Sequence, residues 1–301
     1  MINIILQLFT YMRQLYIISL ICCLSGLMYA QIDNVRIDTI AQGFISASAL
    51  AIDPKGNIYV SDAGADEIVK LAPDGNILTR IGGYGWTTTA LDRPSDIISP
   101  NGLDIYVADY GNRRILRFDQ NLNLISLIPP EGNSERIEHV FGYPISIGIS
   151  SFGKLFILDD ENKRLVKISS INAIERIIGG NEAGRGKLRS PRKMRIDSHD
   201  YIYIQDENEI IAFDVFGNYL RSFGKGLFKA FKAFTIDNDS IVVIDSCMLY
   251  ELDMKGKKVI EFSLCSLLGE YKNLQDILVA GKYIYLLTKH DLLIVRKDDV
   301  L

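Results

Sequence analysis

The sequence predicts an all-β fold, a six-bladed β-propeller built of four-stranded antiparallel blades, and three observations support this prediction. A short apolar strand that ends in Asp recurs along the chain at intervals of 39 to 50 residues. Turn residues separate it from further short strands, so each repeat has room for four strands. The last repeat lacks a fourth strand, whereas a strand-like segment without a partner precedes the first. Six such sheets stacked radially bury faces that one sheet alone would expose.

The repeats align on the residue that ends each apolar strand. These residues are Asp62, Asp109, Asp159, Asp206, Asp245 and the degenerate Thr288. Blades are therefore expected to start near residues 47, 94, 144, 191, 230 and 274. The segment 34–44 alternates like a strand and is expected to become the outer strand of the last blade, which closes the ring and covers a sheet edge. Residues 31–301 are thus predicted to form one propeller domain.

Residues 1–30 have the composition of a signal peptide. They contain one charged side chain, Arg13, followed by an apolar run and then by small or neutral residues up to Ala30. We expect export to the periplasm, the cell surface or the medium, with cleavage after Ala30. An uncleaved anchor is the alternative, although the apolar run is shorter than the roughly 20 residues that span a bilayer, so no stable membrane span is expected once the signal is removed.

The charge balance argues against nucleic acid as a partner. Removal of residues 1–30 leaves 32 Lys and Arg against 37 Asp and Glu, a net charge of −5. Binding to a polyanion such as DNA or RNA depends on a basic surface that releases counterions. We therefore expect an exported, acidic, monomeric protein that does not bind nucleic acid.

One segment carries a family resemblance. "RPSDIISPNGLDIYVADYGNRRILRFDQNLNLI" resembles an NHL repeat, and the linker "IGGNEAGRGKLRSP" is similar to the Gly-rich NHL connector. The resemblance covers residues 47–297 and is most specific in the first four blades. It implies a propeller fold. NHL propellers include peptide binders, RNA binders, lyases and sensor modules, so the function has to be argued from the sites.

The Asp-Tyr-Gly-Asn turn at 109–112 is interpreted as structural. Asp accepts backbone N–H bonds, and Gly and Asn tolerate left-handed angles. A calcium loop would need several oxygen ligands at alternate positions, and the sequence spells out none.

Signals for catalysis are weak. The three histidines, His139, His199 and His290, fall at unrelated positions of the repeat, which argues against a three-His zinc centre. No Gly-x-Ser-x-Gly elbow occurs. No cofactor is predicted.

The start of each inner strand supplies a candidate channel rim. Residues in the same register are Ala49, Asp96, Ser146, Lys193, Lys232 and Asp276. Strand alternation should turn these side chains into a wet central channel. They either neutralise one another there or form a funnel for a polar or zwitterionic ligand.

A basic cluster lies between the third and fourth blades. It comprises Arg185, Lys187, Arg189, Arg192, Lys193 and Arg195. Arginine forks match carboxylates and phosphates, so the cluster is a candidate site for an anionic glycan. The alternative is a solvated loop.

Cys247 and Cys265 are the cysteines that remain after residues 1–30 are removed. A hairpin that pairs Leu252 with Val259 sets Cys247 opposite Leu264, one residue away from Cys265. A small bulge would bring the two sulfurs together, and export favours oxidation, so we expect a disulfide. Two buried thiols are the alternative.

Two functions from different classes follow. The sequence favours a noncatalytic exported propeller that binds a protein, peptide or glycan through one face or the channel mouth. The alternative is a lactonase-like hydrolase or lyase that depends on a divalent metal held by carboxylates in the channel.

Overall fold

The computed structural model describes residues 35–128, 141–168, 174–269 and 273–301. The predicted signal segment 1–30, as well as His139, lies outside these ranges. Within them, every strand belongs to one of six antiparallel sheets of four strands each. The predicted fold class is confirmed.

The blades follow one another along the chain. Blade one contains β2 (Ala47–Ile52), β3 (Ile58–Asp62), β4 (Glu67–Leu71) and β5 (Ile77–Gly82). Blade two contains β6 (Pro94–Ile98), β7 (Asp104–Asp109), β8 (Arg114–Asp119) and β9 (Leu124–Ile128). Blade three contains β10 (Pro144–Ile149), β11 (Leu155–Asp159), β12 (Arg164–Ile168) and β13 (Ile174–Ile178).

The second half of the ring repeats this order. Blade four contains β14 (Pro191–Ile196), β15 (Ile202–Asp206), β16 (Glu209–Phe213) and β17 (Tyr219–Phe223). Blade five contains β18 (Phe231–Asp237), β19 (Ser240–Asp245), β20 (Met248–Asp253) and β21 (Lys258–Ser263). Blade six contains β22 (Leu274–Ala280), β23 (Tyr283–Thr288) and β24 (Asp291–Arg296). Short helices are α1 (Cys265–Leu268) and the 3₁₀ turns Gly184–Gly186 and Lys297–Asp299.

The amino-terminal strand closes the ring. Strand β1 (Ile37–Gln42) pairs antiparallel with β24, with Ile37 opposite Val295, and so becomes the fourth strand of blade six. The backbone amides of Gly43 and Phe44 donate to the carbonyl oxygen of His290, which continues the attachment past the strand. The first and last parts of the propeller are therefore joined by backbone hydrogen bonds.

The repeated Asp fixes the entry of the chain into each blade. In blade one, the Asp62 carboxylate accepts the backbone amides of Ile45 and Ser46, just before the inner strand. Asp206 does the same for Arg189 and Ser190 in blade four. This structural role explains, without a ligand, why a carboxylate recurs at the end of the second strand.

The core lies between the blades. Strand residues on the faces of neighbouring sheets form apolar clusters, such as the one that joins Ile244, Leu249, Leu286 and Leu293 of blades five and six. We call the face that carries the connectors between blades and the turns between second and third strands the upper face. The opposite face, which carries the turns between first and second strands, is the lower face.

Candidate functional site

A β-bulge at the same place in all six inner strands positions the channel side chains. The pairing of the first and second strands shifts register after the first residue of each inner strand, for example between Pro94 and Asp96 and between Pro191 and Lys193. The extra residue bends the strand, and the residue after it faces the channel. The side chains at this level are Ala49, Asp96, Ser146, Lys193, Ala233 and Asp276.

Lys193 bridges two carboxylates across the channel. Its Nζ lies 2.8 Å from Asp96 Oδ1 of blade two and 2.9 Å from Asp276 Oδ2 of blade six. All three residues are buried. Charges removed from water require paired and hydrogen-bonded partners, and this arrangement provides them.

Further polar groups complete these contacts. Arg195 Nη2 donates to Asp276 Oδ1 at 2.8 Å, and Ser146 Oγ lies 2.5 Å from Asp96 Oδ2. The backbone amide of Ile147 also donates to Asp96, at 3.1 Å. We refer to Asp96, Ser146, Lys193, Arg195 and Asp276 as the channel cluster. It carries two positive and two negative charges and ties four blades together.

The electrostatics of Asp276 reflect this pairing. Burial alone would raise the pKa of its carboxyl group, but the Lys193 ammonium and the Arg195 guanidinium outweigh burial and hold the pKa below its usual value. Hydrogen bonds from Lys193 and from the amide of Leu50 act in the same direction. Asp276 is therefore an ionised acceptor at neutral pH and a poor general acid or base.

The channel cluster is built as an ion-pair network rather than as an open metal cage. A divalent ion in such a channel would need carboxylate oxygens that face an empty centre. Here the Lys193 ammonium stands between the two carboxylates. Within the described ranges no group of three or more His, Cys, Asp or Glu side chains has a metal-binding arrangement.

The structure corrects one residue of the predicted rim. Lys232 is exposed and does not share the register of Asp96 and Lys193, because Ala233 occupies that level in blade five. Blade five has Phe231 where blades two, three and four have Pro, and its inner strand begins at this Phe. Lys232 is therefore the bulge residue itself.

The predicted basic cluster divides into two groups. Lys193 and Arg195 turn into the channel, whereas Arg185, Lys187, Arg189 and Arg192 are exposed. Alternation along β14 explains the division, because residues 193 and 195 share one side of the strand after the bulge. Arg195, a member of the predicted cluster, therefore stands apart from its exposed members and binds Asp276.

Sequence reasoning missed that blade five repeats the exposed cations of blade four. Arg189 and Lys229 both precede an inner strand, and the amide of each donates to the Asp at the end of the second strand. Arg192 and Lys232 are both bulge residues. All four are exposed, and we call them the upper basic patch. The two pairs come into alignment only on the bulge, which the strand pairing reveals.

The two described histidines are far from the channel cluster in the fold. His199 is exposed in the lower-face turn between β14 and β15. His290 lies in the upper-face turn of blade six, where its Nδ1 is 3.1 Å from the carbonyl oxygen of Phe44. Their placement on opposite faces provides no shared catalytic centre.

Cys247 and Cys265 are joined in the structure. Their Cα atoms are 4.9 Å apart, and the sulfurs form a disulfide. The amide of Leu264 donates to the carbonyl of Cys247 at 2.9 Å, which is the predicted register. Helix α1 then begins at Cys265, so a turn of helix brings the sulfurs together. The bulge lies elsewhere, at Leu252, which pairs with Lys258.

Comparison with solved structures shows the fold. The chain is similar to a streptogramin B lyase, with a TM-score of 0.62 and 11% identity over 88% of this chain and 98% of that one. It is similar to a catalytically inactive variant of virginiamycin B lyase from Staphylococcus aureus solved with quinupristin, with a TM-score of 0.60 and 12% identity over 87% and 99% of the two chains. A protein of unknown function from Bacteroides thetaiotaomicron gives a TM-score of 0.62 and 11% identity, over 87% and 76%.

These likenesses place the chain among six-bladed β-propellers similar to virginiamycin B lyase. At 11 to 12% identity they show the fold alone. No family model and no curated protein matches the chain. Among the residues that the structure describes, no helix is long and apolar enough to cross a membrane.

Proposed function

We propose that the chain is an exported, noncatalytic binding protein that recognises an anionic glycan through the upper basic patch. The proposal rests on a contrast between two sets of cations. Lys193 and Arg195 form ion pairs with carboxylates in the channel. The other four cations are exposed on neighbouring blades, namely Arg189, Arg192, Lys229 and Lys232. The exposed set is available to an outside partner.

The backbone around the patch is well fixed. Carboxylate oxygens of Asp206 bind the amides of residues 189 and 190, and those of Asp245 bind the amides of residues 229 and 230. The backbone that carries Arg189 and Lys229 is thus held in the same way in the two neighbouring blades. A ligand with repeated charges fits such an array better than a single ion does.

The chemistry of the patch favours carboxylate or phosphate groups. Guanidinium groups bind such anions through two parallel hydrogen bonds, and ammonium groups add point charges. Glu207 lies 3.8 Å from Arg189, but both side chains are more than half exposed, so this pair is weak and a polyanion displaces it at little cost. Because the protein has a net negative charge, a polyanion is expected to dock where exposed cations are concentrated.

The predicted export signal and the NHL-like repeats are consistent with this role. A protein delivered to the periplasm, the cell surface or the medium meets acidic polysaccharides there. The resemblance to NHL propellers supports a binding surface at the ends of the strands, where loops vary while the blades stay constant.

The alternative, a divalent-metal-dependent hydrolase or lyase, draws support from the lyases among the structural neighbours. It requires that Lys193 leave the two carboxylates and that a metal ion take its place. Removing one partner of a buried ion pair costs about 3–5 kcal/mol. The binding role needs no such rearrangement.

The test compares binding of a carboxylated polysaccharide, polygalacturonate, with binding of neutral dextran. The variant Arg189→Glu/Arg192→Glu/Lys229→Glu/Lys232→Glu should weaken polygalacturonate binding by more than about tenfold, which is about 1.4 kcal/mol. Wild-type binding should weaken as salt rises.

A matched control reverses the same number of charges on the lower face. Lys55, Lys255, Lys257 and Lys282 are exposed there, and their change to Glu should leave the affinity within about twofold, since they are remote from the patch. Equal affinity of the two variants, or equal binding of dextran, would refute the proposed site. Preference for an acidic peptide such as polyglutamate over polygalacturonate would refute the glycan.

A further inference from the structure

A cavity of about 310 Å³ opens on the channel side of the inner strands, directly below the channel cluster. Each blade contributes a large apolar residue to its lining. These residues are Leu50, Ile97, Ile147, Ile196, Ile236 and Leu278. The volume equals that of roughly ten water molecules in the liquid and falls in the range of small-molecule sites. The wall exposes apolar and polar surface in similar amounts, so it suits a ligand that has both an apolar body and a polar group.

Arg195 supplies the main polar group of this cavity. Its side chain is 15% exposed and forms part of the cavity wall. Of the five N–H donors of a guanidinium group, one is used by Asp276 and one by the carbonyl oxygen of Met194, at 3.1 Å. Donors of Arg195 therefore remain for an acceptor atom of a ligand.

Two residues with hydroxyl groups belong to the wall. Thr235 is buried in it, and Ser99 lies on it. The Oγ of Ser99 is itself buried and has no hydrogen-bond partner among the residues described, so it is not exposed to the cavity.

The charge balance next to the cavity selects against ions. The positive charges of Lys193 and Arg195 are matched by Asp96 and Asp276, so the channel cluster has no net charge left to offset. A carboxylate or an ammonium group pushed against it would be buried without a counter-charge, which is strongly unfavourable. A neutral acceptor avoids this penalty.

The outer rim of the cavity is also unfavourable for anions. A second cleft of about 460 Å³ shares Pro100, Ile149 and Ile196 with the cavity and continues outward across blades two to four. Asp104, Asp197 and Asp200 are among the residues that line this cleft. Arg117 is paired with Asp104, so Asp197 and Asp200 give the cleft its negative charge. An anionic ligand would have to approach past them.

We propose that this lower cavity binds a small, neutral molecule that has an apolar body and a carbonyl-type oxygen, which accepts a hydrogen bond from Arg195. The ligand class is thus ketones, amides, esters and lactones with an apolar body. The site lies on the face opposite the upper basic patch and uses other residues. It is therefore tested independently of the glycan proposal.

The test uses three probes that share one chain, namely 2-octanone, octanoate and octylammonium. Calorimetry and saturation-transfer NMR should show 2-octanone binding at least about tenfold more tightly than either ion. In the isoleucine methyl spectrum of the wild-type protein, 2-octanone should shift the signals of Ile97, Ile147 and Ile236, while signals of outer strands stay in place. Equal or tighter binding of octanoate would overturn the proposed chemistry.

Two variants locate the site. Ile236→Trp places a bulky ring in the cavity and should abolish 2-octanone binding, whereas Lys289→Gln, which is exposed in the upper-face turn of blade six, should bind as the wild type does. A wild-type affinity for Ile236→Trp would overturn the assigned location. If Ile236→Trp fails to fold, the methyl shifts in the unmodified protein still test the location. Their absence on addition of 2-octanone would also overturn the assigned location.

Discussion

The Lys193 ammonium group lies 2.8 Å from the Asp96 carboxylate, although 97 residues separate them in sequence. Because Lys193 also contacts Asp276, one buried side chain joins blades two, four and six across the channel. The contact stabilises the ring from the inside, while β1 closes it from the outside. Its ammonium group fills the space between the two carboxylates.

Replacing Lys193 by Met should destabilise the protein strongly. Two buried carboxylates lose their shared ammonium, and an uncompensated buried charge costs about 3–5 kcal/mol. Urea denaturation at pH 7 measures the loss. Arg192→Met is the matched control, because this neighbour is exposed, and it should change the free energy of unfolding by less than about 0.5 kcal/mol. Similar losses for both variants would show that the channel contact contributes little.

The stability of the wild type should depend on Asp276 in acid. The pKa of Asp276 is lowered in the folded state, so its stabilising contribution is complete above the unfolded value near 3.9 and is lost as the pH falls through the folded value. Asp276→Asn should be less stable at pH 7, and its deficit should shrink from about pH 4 downward. Urea midpoints between pH 7 and pH 2 give the comparison. A deficit that stays constant over this range would contradict the assigned ionisation.

The fold was predictable because the same sequence features recur in each blade. The Asp at the end of each second strand marks the blades, and the missing last strand assigned the segment around Ile37 to blade six. The inner-strand bulge was not predictable from one blade, since a bulge leaves no mark in the residue types. It is visible only when strand pairing is known.

The site was predictable in part. Counting two residues from Pro94, Pro144 and Pro191 led to Asp96, Ser146 and Lys193, whereas the absence of Pro in blade five shifted the count to Lys232. Arg195 was grouped with the basic cluster because it stands in a run of cations. Which members of such a run turn inward depends on strand direction and on partners in other blades, and the sequence around them carries no sign of either.

Gly75→Ala should loosen the closure of the ring. Gly75 has a φ of +87°, and an added Cβ would lie 1.8 Å from the carbonyl oxygen of Ile40, in the bulge of β1. Gly153 is the control, with a φ of +73° and no atom within 4 Å of an added Cβ. Gly153→Ala should cost about 1–2 kcal/mol from backbone strain alone. Gly75→Ala should cost at least about 1 kcal/mol more.

Thermal unfolding followed by circular dichroism checks this pair of variants. Hydrogen exchange on Gly75→Ala should show faster exchange of the β1 and β24 amides, since the clash falls on β1. Equal melting temperatures for the two variants would mean that the turn between β4 and β5 does not press against β1.

The disulfide should be present in exported protein. Cys247 and Cys265 are 18 residues apart, and a bridge of this loop length contributes about 3 kcal/mol by the chain-entropy estimate. Reduction should therefore lower the free energy of unfolding by about that amount. Mass spectrometry of unreduced, alkylated protein should find neither cysteine modified. Two alkylated cysteines in native material would contradict the bridge.

Lys193, rather than a metal ion, neutralises the channel carboxylates. Elemental analysis tests this on protein that has been incubated with Ca²⁺, Mg²⁺, Mn²⁺ and Zn²⁺ and then desalted, with Asp96→Asn/Asp276→Asn treated in the same way. The metal content of the two proteins should be the same and far below one equivalent. One equivalent of a divalent metal in the wild type, lost in the double variant, would contradict it and establish the channel as a metal site.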